Sequence, residues 1–260
     1  GRKDLEDNLS IPFLGEVPHN RKKEAMVVSR QKRDGVSEAF RIVRTNIDFI
    51  LDKQKKSQVL MLTSFNPYSG KSFVSYNLAA SLVLAGKRTV LLEMDIRKGS
   101  KKDKDGNILP GITHYLSGRV NSLDDLIRPY AGYEDLDVVT SGPIPPNPSE
   151  LLLGEALDEL IGQLRERYEY IFIDTVPFGM VADAQIISRV VDMCIYVIRE
   201  GMMDRRRLPD IEDLYTGGKL PNMAVLLNDV RYKHAGYGYG YGYYGYGYGK
   251  GYYGYGNDIK

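Results

Sequence analysis

The sequence contains no tryptophan, a single cysteine and no apolar run of the roughly 18 residues that a membrane-spanning helix requires. One cysteine, Cys194, excludes an internal disulfide, and its place in the apolar run 193–198 predicts a buried, structural thiol in a reducing compartment. No signal peptide is recognisable, and a first residue of Gly rather than Met predicts a fragment of a longer chain. The three histidines are scattered without metal-ligand spacing, so no histidine metal site is predicted.

The chain also lacks an excess of either charge, because 35 Lys and Arg residues face 34 Asp and Glu residues for a net charge of +1. No overall basic field therefore favours nucleic acid as a partner. Of the 260 residues, 43% are hydrophobic, which suffices for one sizeable α/β core or two small domains. Tyrosine is in excess, with 20 residues against 7 phenylalanines, and half of the tyrosines lie near the C-terminus.

Three segments differ in composition. Residues 1–35 are polar, with one apolar island at 11–15 and two clusters of Lys and Arg. Such a stretch predicts an arm or linker, with binding of its basic clusters to anionic lipid as the alternative. Residues 36–232 carry the regular patterns of a folded domain, and residues 233–260 form a third segment.

The pattern becomes helical at residues 37–51, where apolar residues recur at steps of three and four. Glu38, Arg41 and Arg44 share one flank of the apolar stripe. This flank is predicted to be exposed and suited to a charged neighbour, with an ordinary solvated helix face as the alternative.

Apolar runs rich in Val, Ile and Leu alternate with helical segments along the rest of the domain. The predicted strands are 59–63, 89–94, 136–140, 170–174, 193–198 and 223–228, and the predicted helices are 71–85, 148–168 and 182–191. Continuous apolar strands separated by helices predict an α/β fold, with a mostly parallel sheet covered by helices on both faces. Because such sheets bind ligands at the carboxyl ends of their strands, the loops after Thr63, Met94 and Asp174 are expected to share one crevice.

Residues 236–256 are a low-complexity segment of ten Gly, ten Tyr and one Lys. A half-glycine chain loses too much backbone entropy on ordering to fold alone, so a flexible tail is predicted. By random-coil scaling, such a chain reaches about 17 Å from Asn228 to Tyr237 and about 30 Å to Tyr255. The tail is therefore predicted to carry tyrosines to a site on its own chain or on a neighbour. An adhesive Tyr/Gly tract without chemistry is the alternative.

A P-loop is predicted at residues 64–72, which have the sequence SFNPYSGKS between a predicted strand and a predicted helix. Backbone N–H groups of such a loop cradle phosphates, Lys71 would reach the β- and γ-phosphates, and the Ser72 hydroxyl would bind Mg²⁺. The loop departs from the usual pattern because Phe65 stands where G-x-x-x-x-G-K-[ST] has its first glycine.

Three carboxylates lie at strand ends beside the predicted P-loop. Glu93 and Asp95 stand at the end of one strand, with Arg97 following, and Asp174 ends another. A carboxylate placed there can hold Mg²⁺, usually through water, and so predicts phosphoryl-transfer chemistry. A solvated strand end is the alternative for each acid taken alone. Two roles are open for Arg97. It could contact phosphate or orient one of the acids, or it could form a structural ion pair.

Together these motifs resemble the cytoplasmic domain of bacterial tyrosine kinases (BY-kinases) of the capsule and exopolysaccharide co-polymerase type, which use a P-loop, an acidic D-x-D-x-R motif and a Walker B strand. The resemblance covers nearly the whole chain. Residues 13–18 resemble the family's entry after its last membrane helix, residues 146–152 resemble a segment distinctive of it, and Asp174 with Asp183 resembles its Walker B region. Two departures are the missing first glycine of the P-loop and Glu93 in place of the usual first Asp.

The resemblance implies transfer of the γ-phosphoryl group of ATP to tyrosine hydroxyls, with Mg²⁺, on a P-loop fold related to MinD and ParA. The implied catalytic residues are Lys71, Glu93, Asp95 and Asp174, and the implied metal-binding residues are Ser72, Asp95 and Asp174. The implied nucleotide-binding residues are Ser69, Gly70, Lys71, Ser72, Phe73 and Asn228. The implied phosphoacceptors are Tyr237, Tyr239, Tyr241, Tyr243, Tyr244, Tyr246, Tyr248, Tyr252, Tyr253 and Tyr255.

Partners are implied as well. Glu38, Arg41 and Arg44 resemble the family's subunit-contact motif, E-x-x-R-x-x-R, which implies self-association into a ring. A transmembrane activator, on the same chain or as a separate membrane adaptor, and a cognate tyrosine phosphatase are further implied partners. The chain is accordingly expected at the cytoplasmic face of the plasma membrane, where it would regulate polysaccharide polymerisation or export.

Two other functions fit parts of the pattern. A MinD- or ParA-like ATPase switch shares the sheet and the P-loop, but that group carries a further lysine near the start of its P-loop, which residues 64–69 lack. A tyrosine-rich tail also has no purpose in such a switch. An ATP-binding scaffold without transfer activity is the third hypothesis, and Glu93 is its motivation.

Overall fold

The computed structural model describes residues 1–31, 34–100 and 105–232, except for the side chain of residue 134. The helices are α1 (Arg2–Asn8), α2 (Gly35–Ile50), α3 (Lys71–Val83), α4 (Ile112–Leu116), α5 (Pro148–Leu153), α6 (Glu155–Arg167), α7 (Asp183–Ile187) and α8 (Leu208–Thr216). The strands are β1 (Phe13–Pro18), β2 (Gln58–Ser64), β3 (Thr89–Glu93), β4 (Arg128–Tyr130), β5 (Tyr133–Val139), β6 (Tyr170–Asp174), β7 (Met193–Arg199) and β8 (Ala224–Val230). The predicted tyrosine-rich tail lies outside the described residues.

The strands form one eight-stranded sheet in the order β1-β8-β7-β2-β6-β3-β5-β4. All neighbouring strands are parallel except β4 and β5, which pair antiparallel at one edge. The predicted α/β class with a mostly parallel sheet is therefore confirmed. Strands β2, β6 and β3 are adjacent, so their carboxyl ends, with the loops that follow them, meet at one place on the sheet edge.

Helices cover both faces of the sheet because alternate residues of each buried strand point to opposite faces. In β2, Val59 and Met61 pack into one apolar cluster, and Leu60 and Leu62 pack into the other. Helices α2 and α3 bury their apolar stripes in the second cluster, while α6 and α8 pack in the first. Each fully buried Leu, Ile or Val contributes about 1.5–3 kcal/mol of transfer free energy, so this double-sided burial fixes the position of the strand ends.

The prediction of an arm or linker is wrong for residues 13–18, because they form β1, an edge strand parallel to β8. Leu14 and Val17 are fully buried, and Asn46 Nδ2 of α2 donates a 2.8 Å hydrogen bond to the Leu14 carbonyl. The strand carries two buried side chains in six residues and ends in Pro18, which an edge strand tolerates. So short an apolar pattern does not stand out in the sequence.

Two predicted helices differ in extent. The segment predicted as one helix at 148–168 is two helices, α5 and α6, because Gly154 between them adopts an extended conformation and begins α6. The helix predicted at 182–191 is the short α7 followed by a 3₁₀ turn, Ser188–Val190. Within the described residues, no helix combines the length and the apolarity needed to cross a bilayer.

Candidate active site

The P-loop, residues 64–72, connects β2 to α3 as predicted. Gly70 begins α3 in the left-handed conformation, with φ of 89°, and a Cβ there would lie 2.2 Å from Asn228 Nδ2. Both the backbone conformation and the lack of space therefore require glycine. The N-terminal turn of a thirteen-residue helix presents free backbone N–H groups and the positive end of the helix dipole, which favour phosphate.

Lys71 lies at the base of this loop with 9% of its surface exposed. Its Nζ donates a 3.1 Å hydrogen bond to Ser64 Oγ, the one such bond of this ammonium group among the described residues. Burial lowers the pKa of Lys71, and the nearby carboxylates of Asp174 and Asp95 oppose that shift. An ammonium group carries three N–H donors, so Lys71 retains donors and charge that suit a phosphate group.

Ser72 and Asp174 join the P-loop to the end of β6. The Ser72 hydroxyl donates a 2.6 Å hydrogen bond to Asp174 Oδ2. Asp174 is 9% exposed, and burial raises its pKa to about 6 despite the Ser72 hydrogen bond and the Lys71 charge. A hydroxyl and a carboxylate in contact provide oxygen ligands of the kind that Mg²⁺ prefers.

These groups fit a magnesium ion that keeps most of its water. Among the described residues, no group of three or more His, Cys, Asp or Glu side chains is arranged to hold a metal on its own. Mg²⁺ commonly takes one or two protein oxygens together with water and nucleotide phosphates. Ser72 and Asp174, with Asp95 in the loop after the neighbouring strand β3, are the residues that would hold it.

Glu93 and Asp95 lie at the end of β3, beside the end of β6. Glu93 is opposite Asp174 in the parallel register, and the Met94 backbone N–H donates a 2.8 Å hydrogen bond to the Asp174 carbonyl. Both acids are partly exposed. The loops after β2, β3 and β6 therefore lie together at one edge of the sheet, as the sequence predicts. Lys71, Ser72, Glu93, Asp95 and Asp174 meet at this place, which is called the crevice below.

Arg97 forms a structural ion pair. Its Nε and Nη2 atoms donate to the two carboxylate oxygens of Asp183 at 2.6 and 2.9 Å, and Nη2 also donates to Ser149 Oγ at 3.0 Å. Asp183 is 1% exposed, so this charge requires its partner. Of the two roles considered for Arg97, the structure shows the ion pair. This pair links the loop after β3 to α5 and α7.

Of the remaining residues predicted to bind nucleotide, Asn228 and Ser69 lie at the P-loop, and the Phe73 ring packs against α2. Asn228, at the end of β8, donates a 3.0 Å hydrogen bond from Nδ2 to the Ser69 carbonyl, so it contacts the P-loop directly. Ser69 is buried, and its hydroxyl donates to the Asn66 carbonyl at 2.8 Å. The Phe73 ring packs edge-on against Phe40 of α2, with ring centroids 5.7 Å apart. Phe73 is the third residue of α3, so its ring contributes to the packing of α2 on α3.

The residues of the predicted subunit contact lie on α2, which packs against α3. Arg41 Nη1 donates a 2.7 Å hydrogen bond to Glu38 Oε2 within the same helix. Arg44 Nη1 donates to the Ser81 carbonyl of α3 at 2.6 Å, so this arginine also braces the packing of the two helices. The ten predicted phosphoacceptor tyrosines lie outside the described residues.

Two residues at the crevice, Tyr76 and Arg199, have contacts that no sequence pattern predicts. The Tyr76 hydroxyl donates a 2.7 Å hydrogen bond to Glu93 Oε1, and Arg199 Nη1 donates a 3.0 Å hydrogen bond to the Tyr68 carbonyl in the P-loop. Tyr76 follows Ser72 by one helical turn, a spacing that places it on the same face of α3. No comparable signal exists for Arg199, which is 131 residues away from Tyr68.

No family model matches the chain. Among curated proteins, the tyrosine-protein kinase YwqD of Bacillus subtilis is 34% identical over 208 residues, which cover 78% of this chain and 85% of that protein. Among solved structures, the chimerical protein CapA2B2 superposes with a TM-score of 0.76 at 31% identity, covering 88% of this chain and 99% of that one. The kinase domain of the Escherichia coli tyrosine kinase ETK superposes with a TM-score of 0.75 at 26% identity, over 93% and 99% of the two chains. With this similarity and the P-loop crevice together, the chain belongs to the family of bacterial tyrosine kinases.

Proposed function

We propose that the crevice transfers the γ-phosphoryl group of ATP to tyrosines at residues 236–256 of the same chain or of a neighbouring subunit. The observation that carries this proposal is the hydrogen bond between Asn228 and the Ser69 carbonyl. Asn228 lies two residues before the end of β8, so the described chain, which ends at Tyr232, contacts the P-loop four residues before its end. Ten tyrosines, from Tyr237 to Tyr255, then follow within the 21 residues 236–256.

The P-loop residues bind and orient the phosphates. Backbone N–H groups at the start of α3 would hold the phosphate oxygens, and Lys71 would neutralise charge on the β- and γ-phosphates. Lys71 is nearly buried, so its charge acts at short range with little screening by water. Positioning and charge neutralisation are most of what phosphoryl transfer requires from a protein.

Mg²⁺, when bound, neutralises phosphate charge and fixes the orientation of the nucleotide. Ser72 and Asp174 would hold it, with Asp95 as a further oxygen ligand of the ion or of its water. Burial raises the pKa of Asp174, which means that its ionised form is disfavoured in the chain alone. A neighbouring positive charge stabilises that ionised form, so this carboxyl favours the binding of a cation.

Glu93 and Asp95 would share the remaining chemistry. The attacking tyrosine oxygen forms a bond to the γ-phosphorus of ATP. The bond between that phosphorus and the β,γ-bridging oxygen breaks, and ADP leaves with the bridging oxygen. The tyrosine proton passes to a carboxylate oxygen at the end of β3. Glu93 accepts a hydrogen bond from Tyr76 on one oxygen, which leaves its second oxygen and Asp95 for this role.

The same proposal includes the setting of the reaction. Glu38, Arg41 and Arg44 would bind a neighbouring subunit and close a ring, because delivery of each tail to the next subunit is a heterologous contact. A membrane activator, on the same chain or separate, would hold the domain at the cytoplasmic face of the plasma membrane. A tyrosine phosphatase would reverse the modification, and the cycle would regulate polysaccharide polymerisation or export.

Mass spectrometry of the purified chain after incubation with Mg-ATP tests the proposed acceptors. We expect phosphate on tyrosines within 236–256 and little phosphotyrosine in a chain that ends at Tyr232, which should still bind ATP. Main phosphorylation at Tyr76 or Tyr115 would contradict the proposed acceptor. ATP hydrolysis without any phosphotyrosine would favour the ATPase switch, and ATP binding without either reaction would favour the scaffold.

A further inference from the structure

Side chains on β7 and β8 hold two successive carbonyl groups of the P-loop from outside. Arg199 Nη1 donates a 3.0 Å hydrogen bond to the Tyr68 carbonyl, and Asn228 Nδ2 donates a 3.0 Å hydrogen bond to the Ser69 carbonyl. In a trans peptide the C=O and the following N–H point in opposite directions. The two contacts therefore direct the N–H groups of Ser69 and Gly70 away from β7 and β8.

Tyr68 has an unfavourable backbone conformation for a residue with a side chain. Its φ is 61°, in the left-handed region that costs about 1–2 kcal/mol for a residue other than glycine. Tyr68 is 81% exposed, so packing of its ring does not stabilise this conformation. Such strain persists where surrounding contacts over-determine the backbone, and the hydrogen bond from Arg199 is a contact of that kind.

Arg199 is itself held in place. Its Nε donates a 2.9 Å hydrogen bond to Asp229 Oδ2, and the other carboxylate oxygen of Asp229 lies 2.5 Å from His19 Nδ1. Asp229 is mostly buried, with 14% of its side chain exposed. Arg199 thus bridges a carboxylate at the end of β8 and a carbonyl of the P-loop, and a planar guanidinium group suits such a bridge better than a lysine ammonium.

We propose that Arg199 is a positioning residue of the P-loop, which holds Tyr68 in its left-handed conformation so that the loop presents its N–H groups to phosphate. This inference rests on the proposed binding of ATP phosphates by residues 64–72. The loop has Phe65 at the position of the usual first glycine. Arg199 provides from outside the loop a constraint on the backbone between Phe65 and Gly70.

Isothermal titration of the whole chain with Mg-ATP tests the role of Arg199 separately from phosphate transfer. We expect Arg199→Ala to weaken binding about 10-fold or more, the effect of one lost hydrogen bond to a charged donor. Tyr68→Gly removes the backbone strain that the hydrogen bond from Arg199 offsets, because glycine adopts positive φ without strain. In the double variant, Tyr68→Gly should restore most of the affinity lost in Arg199→Ala.

Arg189→Ala is the matched control, because Arg189 also donates to a backbone carbonyl, that of Gly154, and to a carboxylate, that of Asp158. Its loss should leave Mg-ATP binding unchanged. If Arg199→Ala does not fold, Arg199→Lys replaces it, since lysine keeps the charge without the planar bridge, and the same rescue by Tyr68→Gly is expected.

Three outcomes would overturn the inference. Unchanged binding in Arg199→Ala, beside an unmodified chain that binds Mg-ATP, would exclude the positioning role and leave the phosphate site intact. A loss that Tyr68→Gly does not restore would indicate direct contact between Arg199 and the nucleotide instead. An unmodified chain that binds no Mg-ATP would remove the proposed phosphate site, and the role of Arg199 with it.

Discussion

The Tyr76 hydroxyl donates a 2.7 Å hydrogen bond to Glu93 Oε1, which ties the acid at the end of β3 to the helix that begins at the P-loop. The Tyr76 ring packs against Tyr130, with ring centroids 5.1 Å apart, so the donor is itself held in position. Burial, followed by the Glu93 charge, raises the pKa of Tyr76 well above its usual value, and the hydroxyl stays protonated as a donor. Glu93 is therefore oriented by a neutral hydroxyl group of the folded domain, which is not one of the proposed acceptor tyrosines.

Tyr76→Phe should lower the rate of autophosphorylation about 10-fold, because Glu93 loses its orientation while the aromatic packing remains. The change should cost about 1 kcal/mol of stability, the contribution of a typical hydrogen bond. Tyr115→Phe is the matched control, since the Tyr115 hydroxyl also contacts one side chain, Gln163, at 2.9 Å. Equal rates in the two variants, measured by initial phosphate incorporation, would contradict an orienting role.

Asp174→Asn should stabilise the nucleotide-free chain at pH 8. The folded-state pKa of about 6 exceeds the ordinary 3.8, so ionisation of Asp174 opposes folding, and stability is lost as pH rises from about 4 to about 6. Above pH 6 the loss amounts to roughly 3 kcal/mol at 1.36 kcal/mol per pKa unit. Asparagine removes this loss, so the gain should be large at pH 8 and vanish near pH 4. Thermal unfolding at both pH values measures it, and an equal effect at both would refute the burial argument.

Asp95→Ala should reduce autophosphorylation at least about 10²-fold, the scale for removal of a catalytic or charge-stabilising group. Asp174→Ala should do the same, because each carboxylate lies at the crevice that holds Lys71. Asp125→Ala is a suitable control, since Asp125 is exposed and precedes the edge strand β4 instead of following β2, β3 or β6. Rates within twofold of the unmodified chain in either variant would remove that acid from the site.

Much of the site could be predicted because it depends on local sequence. The P-loop is recognisable from Gly-Lys-Ser between an apolar strand and a helix. Asp174 is recognisable from its position at the end of the apolar run of β6. Parallel strands then bring their carboxyl ends together, so the shared crevice follows from strand order. The contacts of Tyr76 and Arg199 do not follow, because they depend on side-chain positions set by tertiary packing between distant residues.

The differences in the fold have the same origin. Residues 13–18 carry too few apolar positions to distinguish an edge strand from a linker, and β1 is stabilised by its pairing with β8, more than 200 residues away. The helix break at Gly154 lies inside an otherwise continuous helical pattern. Glycine is tolerated within helices at a cost of about 1 kcal/mol, so the sequence alone does not show that the helix ends there.

Autophosphorylation should dissociate the proposed ring. Each phosphate adds about −1.5 to −2 charges at neutral pH, so ten modified tyrosines add roughly −15 to −20 per chain. Such tails would be repelled from crevices lined by Glu93, Asp95 and Asp174, with screening only beyond about 8–10 Å. Sedimentation velocity before and after Mg-ATP should show an oligomer and then smaller species. A chain whose tail tyrosines are replaced by phenylalanine should stay assembled.

Sedimentation velocity also tests the proposed subunit contact, with variants of Arg41 and Arg44. Arg41→Ala/Arg44→Ala should prevent assembly, and Arg44→Ala alone reports how much of the effect comes from the lost contact with the Ser81 carbonyl. An oligomer that survives the double change would rule out this contact, and one that persists after full phosphorylation would rule out the switch.

The central claim is that this crevice transfers phosphate from ATP to tyrosine through Lys71, and its most direct test is phosphotyrosine formed by the purified chain with Mg-ATP. Lys71→Met removes the nearly buried ammonium group but keeps an apolar stem of similar length, so the fold should persist, as circular dichroism would verify. We expect abundant phosphotyrosine in the unmodified chain and none above background in Lys71→Met. Equal phosphotyrosine in the two chains would contradict the central claim.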